Sequence, residues 1–183
     1  FGGVPTSAAL TGYLSRIQPA ERIYIAEHGR WADDDHRISW YLQADPAETC
    51  SRIAAFTYSP SITWWQQAQI MEQGYWTTMM RRLEENTWFD GAALALVLQL
   101  IPEGSRLFVG NSLAVRNLDQ FGAPGSKVLE VFGNRGASGI DGNISTALGI
   151  AAANRNRPLV ALVGDITLYH DLNGLLALSN QGL

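Results

Sequence analysis

Apolar and polar positions alternate along the first section of the chain with the spacing of short helices and strands. The pattern predicts a helix that begins after Thr6 or Ser7 and ends near Ile17. Strands are expected at residues 22–26 and 37–42, where apolar side chains alternate or cluster in short runs. The first section is therefore predicted to mix helices with short strands.

A second helix is expected directly after Asp45. This residue can cap a helix, Pro46 suits the first helical position, and Glu48 lies three residues after the cap. Residues 59–86 then form a long polar-aromatic segment, which predicts a connector helix packed between two lobes. Its aromatic side chains could stack on a cofactor, but core or interface packing is the preferred interpretation.

From residue 89 onward the pattern changes to regular strand–helix alternation. Strands are predicted at residues 107–110, 128–132 and 159–163, and helices at 92–101, from 112, at 144–154 and at 171–179. Such alternation predicts an α/β fold with a parallel sheet. The unbroken apolar run at 159–163 further predicts a strand that is covered on both faces.

Composition narrows the class of protein. The chain has 183 residues, 46% of them hydrophobic and 16% charged, which is typical of a globular domain or two small ones. The net charge of −4 and the lack of any basic cluster argue against nucleic acid as a partner. The single cysteine, Cys50, excludes an internal disulfide and favours a reducing, cytoplasmic setting.

The ends and the apolar runs suggest a fragment of a water-soluble protein. The longest apolar stretch, residues 92–101, is too short to cross a bilayer, and no signal segment opens the chain. The first residues resemble the end of a strand and a loop, and no Met precedes them. We therefore expect a fragment without an integral membrane segment.

Polar residues follow each predicted strand of the second section, where ligands bind in parallel α/β sheets. The three segments are residues 110–112, with Arg116 one turn further on, residues 133–142, and residues 164–167. Asp165 follows a buried strand and could hold Mg²⁺ together with phosphate oxygens, although a simple helix cap is the alternative.

The glycine-rich segment 133–142 fits neither a Walker motif nor a dinucleotide fingerprint, so a structural turn is its alternative. Arg116 and Arg135, at the ends of neighbouring predicted strands, could bind carboxylates as a pair. His28, His36 and His170 lack the spacing of metal ligands.

Four motifs together resemble a known family. They are Asn-Ser-Leu-Ala-Val-Arg at 111–116, Asn-Arg-Gly-Ala-Ser-Gly-Ile-Asp-Gly at 134–142, Val-Gly-Asp at 163–165 and Asp-Leu-Asn at 171–173. The chain resembles the menaquinone-pathway synthases of 2-succinyl-5-enolpyruvyl-6-hydroxy-3-cyclohexene-1-carboxylate, which are thiamine-diphosphate enzymes. The resemblance is strong over residues 107–178 and looser in the first section.

The resemblance implies a domain plan and an activity. Residues 1–58 would be the second half of a central domain, 59–88 a connector helix, and 89–183 the first part of a diphosphate-binding domain. Members of this family join 2-oxoglutarate to isochorismate with loss of CO₂, in menaquinone or phylloquinone synthesis. They use thiamine diphosphate with Mg²⁺ or Mn²⁺, as cytoplasmic homodimers or homotetramers.

The resemblance also implies roles for individual residues. Asp165 would bind the metal ion and anchor the diphosphate, and Ile140 would be the apolar wedge beneath the cofactor. The implied cofactor-binding set is Ser112, Gly139, Ile140, Gly164, Asp165, Ile166 and Thr167. The implied catalytic set, with the two arginines binding substrate carboxylates, is Asn111, Ser112, Arg116 and Arg135.

Parts of the family's active site have no counterpart here. The second metal ligand, an Asn in a turn beyond Leu183, and the glutamate that activates the cofactor lie outside the chain, so the chain alone is expected to be inactive. Some members carry a basic substrate contact where this chain reads Ser7-Ala8-Ala9. Two alternatives stay open: another thiamine-diphosphate enzyme of the acetolactate-synthase type, and a non-catalytic α/β module.

Overall fold

Two small parallel sheets organise the described part of the chain, which in this computed structural model comprises residues 5–29, 33, 35–56, 62–85 and 88–181. The chain divides into two compact units, Phe1–Glu72 and Gln73–Leu183. Every strand pair among the described residues is parallel. The predicted α/β class with parallel sheets is therefore confirmed.

The first unit contains a two-stranded sheet and two short helices. Its elements are α1 (Ala8–Arg16), β1 (Ile23–Ala26), β2 (Trp40–Gln43) and α2 (Pro46–Ala54). Ser7 caps α1, since its Oγ accepts a hydrogen bond from the Leu10 amide at 3.2 Å. Asp45 caps α2 in the predicted way, because its Oδ1 accepts from the Glu48 amide at 2.6 Å.

The long polar-aromatic segment is helical, as predicted. Helix α3 (Ile62–Glu84) has 23 residues, and none of them is buried. Large side chains such as Trp64, Trp65 and Met71 stay mostly exposed. Their packing between lobes therefore stays a prediction, as does the division into the three predicted segments 1–58, 59–88 and 89–183.

The second unit has a three-stranded sheet in the order β4-β3-β5, with helices between the strands. Its elements are α4 (Asp90–Leu100), β3 (Arg106–Val109), α5 (Leu113–Phe121), β4 (Glu130–Phe132), α6 (Asn143–Ala153), β5 (Leu159–Leu162), α7 (Asp165–His170), a 3-10 helix (Leu172–Leu175) and α8 (Leu176–Gln181). No helix of the described residues combines the length and the apolar character needed to cross a membrane.

Strand β3 forms the centre of the second unit. Its residues Leu107 and Phe108 are completely buried and Val109 is 2% exposed. Leu107 and Val109 form the core with Ile101, and α4, α5 and the neighbouring strands pack around them. A central strand with no exposed side chain is rigid, so it provides a fixed support for the loops at its carboxyl end.

Three predictions about the second unit need correction. The last helical region begins at Asp165 and not at Asp171, because Gly164 is extended and allows the helix to start immediately after β5. The apolar sequence at residues 92–101 predicts a buried helix, but α4 is buried on one face only, since Leu94 is buried while Leu100 is 70% exposed. Strand β5 is not covered on both faces among the described residues, because the side chain of Ala161 is exposed.

Candidate functional site

The carboxyl ends of β3, β4 and β5 meet at one edge of the sheet, because all three strands are parallel and adjacent. The three predicted site segments follow these strands. Glycine favours close approach there: a Cβ on Gly110 would lie 3.1 Å from Val163 Cγ1, and one on Gly133 would lie 3.2 Å from the Val109 carbonyl oxygen, both tighter than ordinary contacts. The fold therefore brings the predicted segments to a common edge.

Asn111 is the central polar residue of this edge, and it is only 2% exposed. Its Nδ2 donates to the Asn134 carbonyl at 3.1 Å and to the Gly139 carbonyl at 2.7 Å. Its Oδ1 accepts from Arg135 Nη1 at 2.7 Å. One buried amide thus links the end of β3 to the glycine-rich segment after β4.

Ser112 has a backbone conformation that is rare for residues with a side chain, with φ 66° and ψ −126°. Such conformations cost about 1–3 kcal/mol and persist where surrounding contacts impose them. Two contacts do so here: Asn111 is anchored on one side, and Arg116 Nη1 donates to the Ser112 carbonyl at 2.6 Å on the other. Ser112 itself remains exposed at the start of α5.

The two arginines that are predicted to act together form hydrogen bonds to two adjacent residues, Asn111 and Ser112. Arg116 contacts the backbone of Ser112, and Arg135 contacts the side chain of Asn111. Each of these contacts is made through one nitrogen, Nη1, of a guanidinium group that carries five N–H donors. Both guanidinium groups therefore retain donors for an acidic ligand at the same edge.

The glycine-rich segment ends in a turn that a second asparagine supports. Asn143, the first residue of α6, is completely buried, and its Nδ2 donates to the Ile140 carbonyl at 2.7 Å. Gly142 has a left-handed backbone, φ 69°, at this turn. Ile140 is half-buried and Gly139 is exposed, so the segment presents both a side chain and bare backbone at the surface.

Asn143 was not among the predicted site residues. It directly follows the motif at residues 134–142 and precedes the apolar positions of α6. A polar side chain at the buried start of an apolar helix was the only signal available. It is weak, because asparagine is also common near helix ends for purely local reasons.

Asp165 is the first residue of α7 and is exposed at the same edge. Its Oδ1 accepts from the Ile166 amide at 2.8 Å, which orients the carboxylate. Thr167 is 2% exposed, whereas Ile166 is mostly exposed. Residues 164–167 therefore lead from the end of β5 into the first turn of α7, with the Asp165 carboxylate at the surface.

A metal ion at Asp165 would need ligands beyond protein carboxylates. No group of three or more acidic, histidine or cysteine side chains within the described ranges could hold a metal. Mg²⁺ commonly takes only one or two protein carboxylates and completes its shell with phosphate oxygens. The donor set at Asp165 therefore fits a metal bound with a diphosphate, and does not fit a metal held by the described protein groups alone.

The Asp-Leu-Asn motif has a structural role. Asp171 Oδ2 accepts from the Ser145 amide at 2.7 Å, and its Oδ1 accepts from the Ser145 hydroxyl at 3.0 Å. The carboxylate thereby occupies the positive N-terminal end of α6. A Cβ on Gly174 would lie 2.7 Å from the Ser145 hydroxyl, so this contact also requires glycine.

The whole chain aligns with part of one group of curated relatives. It is 46% identical, over 183 residues, to the 2-succinyl-5-enolpyruvyl-6-hydroxy-3-cyclohexene-1-carboxylate synthase of Roseiflexus sp. (strain RS-1). The chain is homologous to one segment of these synthases. It is 46% identical to the synthase of Roseiflexus castenholzii and 35% identical to that of Bacillus cytotoxicus, over 100% and 97% of this chain.

The matched segment is a limited part of each relative. It spans 31% of the Roseiflexus sp. synthase, 32% of the Roseiflexus castenholzii synthase and 30% of the Bacillus cytotoxicus synthase. No protein-family model matches the chain. The comparisons therefore support the resemblance seen in the four motifs and leave the roles of the individual site residues as predictions.

Proposed function

We propose that this chain contributes to the active site of a synthase of the menaquinone or phylloquinone pathway. The proposed reaction joins 2-oxoglutarate to isochorismate with loss of CO₂. The observation that carries the proposal is that two guanidinium groups contact the adjacent residues Asn111 and Ser112. The chain in which they do so is 35–46% identical to 2-succinyl-5-enolpyruvyl-6-hydroxy-3-cyclohexene-1-carboxylate synthases.

The chemistry of both substrates supports this assignment. Each is a carboxylic acid, and guanidinium groups bind carboxylates with two parallel hydrogen bonds. Arg116 and Arg135 are held through one nitrogen each, so their remaining donors could bind substrate carboxylates at this edge. Asn111 and Ser112, which these two arginines contact, would line the substrate position.

Thiamine diphosphate, bound with Mg²⁺ or Mn²⁺, would supply the carbanion chemistry for decarboxylation and carbon–carbon bond formation. Asp165 would bind the metal, with Gly164, Ile166 and Thr167 around the diphosphate. Support comes from the exposed carboxylate at the start of α7, because Mg²⁺ commonly takes one or two protein carboxylates together with phosphate oxygens. Gly139 and the half-buried Ile140 would contact the cofactor from the glycine-rich segment.

We further propose that the protein works in the cytoplasm as a homodimer or homotetramer. The net charge of −4, without any basic cluster, argues against nucleic acid as a partner. The single Cys50 agrees with a reducing compartment.

The metal role of Asp165 can be tested in the full-length protein. We expect Asp165→Asn to weaken Mg²⁺-dependent binding of thiamine diphosphate at least about tenfold, because the neutral amide loses the charge that holds the cation. Titration calorimetry with the cofactor at fixed Mg²⁺ measures this. The exposed Asp119 on α5 offers a matched control, Asp119→Asn. Unchanged affinity in the Asp165 variant would remove Asp165 from the metal site.

Substrate choice separates the proposal from its alternatives. The full-length protein should release CO₂ from 2-oxoglutarate in the presence of isochorismate. Turnover of pyruvate alone would instead indicate an enzyme of the acetolactate-synthase type, which the arginine pair disfavours. Absence of cofactor binding and of any turnover would indicate a non-catalytic α/β module in which Asp165 merely begins a helix.

A further inference from the structure

Two buried asparagines share one acceptor in the glycine-rich segment. The Gly139 carbonyl accepts from Asn111 Nδ2 at 2.7 Å and from Asn143 Nδ2 at 3.2 Å. Asn111 lies at the end of β3, and Asn143 is the first residue of α6. The segment between β4 and α6 is therefore held by side chains from two different elements.

The contacts of Asn143 indicate what this side chain contributes. Besides the Gly139 carbonyl, its Nδ2 donates to the Ile140 carbonyl at 2.7 Å and the Asp141 carbonyl at 3.3 Å. Its Oδ1 is buried and has no hydrogen-bond partner among the described residues. A leucine of similar size would avoid that unpaired oxygen, so the benefit of asparagine must lie in the donated hydrogen bonds.

The contacts of Asn111 connect the same segment to an arginine. Both amide hydrogens face carbonyl groups of the segment, at Asn134 and Gly139, which leaves the Oδ1 to accept from Arg135 Nη1. The amide orientation is unambiguous, because reversing it would place an oxygen against two carbonyl oxygens. Arg135 is thus oriented by a buried side chain and not only by its own backbone.

We propose that Asn111 and Asn143 are positioning residues that together fix residues 134–141 before any ligand arrives. They would keep the guanidinium of Arg135 and the side chain of Ile140 in a single orientation. What Arg135 and Ile140 bind rests on the function proposed above, whereas the order of the segment does not. A preformed segment saves the ordering cost that binding would otherwise carry.

Amide hydrogen exchange in the ligand-free full-length protein tests the order of the segment directly. In Asn143→Leu we expect the amides of residues 134–141 to exchange about tenfold faster. The segment can then open without first breaking the hydrogen bonds that Asn143 donates to its carbonyl groups. Asn156→Leu is a matched control, since Asn156 is exposed in the turn before β5, at the other end of the strands. Its exchange in residues 134–141 should equal that of the parent protein.

Steady-state kinetics provide a readout that general destabilisation would not produce. In Asn111→Leu we expect the KM for 2-oxoglutarate to rise about tenfold, with a smaller fall in kcat, because the freed Arg135 must be ordered by the substrate. If Asn143→Leu or Asn111→Leu fails to fold, the smaller replacements Asn143→Ser and Asn111→Ser take their places. A fall in kcat alone, with KM and exchange unchanged, would overturn the inference.

The two proposals fail in different ways. Faster exchange confined to residues 134–141, in a protein that does not consume 2-oxoglutarate, would uphold the positioning role and refute the proposed function. Unchanged exchange in both asparagine variants of an active synthase would refute the positioning role and leave the proposed function standing.

Discussion

Glu130, at the start of β4, lies between two arginines of the second unit. Its Oε1 accepts from Arg157 Nη1, and its Oε2 accepts from Arg106 Nε at 3.3 Å. Both arginines also donate to backbone carbonyls, Arg157 to Gly104 and Arg106 to Ile150, at 2.6 Å each. The hydrogen bond from Arg157, together with the charges of both arginines, lowers the pKa of the Glu130 carboxyl.

This lowered pKa predicts a pH dependence of stability. A carboxyl whose folded pKa lies below its unfolded value stabilises the fold fully above the unfolded pKa of about 4.5, and the contribution is lost as pH falls through the folded pKa. We expect Glu130→Gln to reduce stability near neutral pH and to flatten its decline in acid. Urea denaturation at a series of pH values measures this.

The matched control for Glu130 is Glu84→Gln, which removes one negative charge from an exposed helical position. It should leave the acid limb of the curve close to that of the parent protein. An equally steep acid limb in Glu130→Gln would show that the ion pairs with the arginines do not contribute to it.

Whole elements of the second unit are held at their ends by side chains from elsewhere in the chain. The Lys127 ammonium donates to the carbonyls of Leu98, Gln99 and Ile101, at 2.8–2.9 Å. It thereby satisfies carbonyls at the C-terminal end of α4, which carries negative partial charge. Asp171 acts in the opposite sense on the N-terminal end of α6.

Removing the Lys127 ammonium should destabilise the second unit. We expect Lys127→Met to lower the free energy of unfolding by about 1–3 kcal/mol, because three charge-assisted hydrogen bonds are lost while the aliphatic stem is largely kept. Chemical denaturation measures the change. Arg81→Met, at an exposed position of α3, is the control and should cost less than about 0.5 kcal/mol. Equal effects of the two variants would contradict the capping role.

At the scale of the whole molecule, many large apolar side chains of the described residues are exposed. A groove of about 700 Å³ in the second unit is lined by Met80, Leu83, Trp88, Leu96 and Phe121, among others. Side chains such as Leu100 and Leu176 are also strongly exposed. Surfaces of this kind mark faces that contact other protein, and the matched synthases are about three times as long as the chain.

This relation to longer synthases predicts that the 183-residue chain has no activity by itself. The resemblance assigns the activating glutamate and the second metal ligand to parts of the relatives outside the matched segment. We expect no release of CO₂ from 2-oxoglutarate by the isolated chain at any Mg²⁺ concentration, with the full-length protein as the positive control. Measurable turnover by the chain alone would refute the prediction.

The sequence by itself determined the class of fold, most element positions and the segments of the candidate site. Caps such as Ser7 and Asp45 and the apolar runs of β3 and β5 are local signals, so they can be read without a structure. Tertiary structure alone decided the burial of Asn111 and Asn143 and the placement of the Arg135 guanidinium on the Asn111 side chain. The physical reason is sequence distance. Arg135 and Asn111 are linked by a hydrogen bond across 24 positions, and only the parallel pairing of β3 with β4 brings them together.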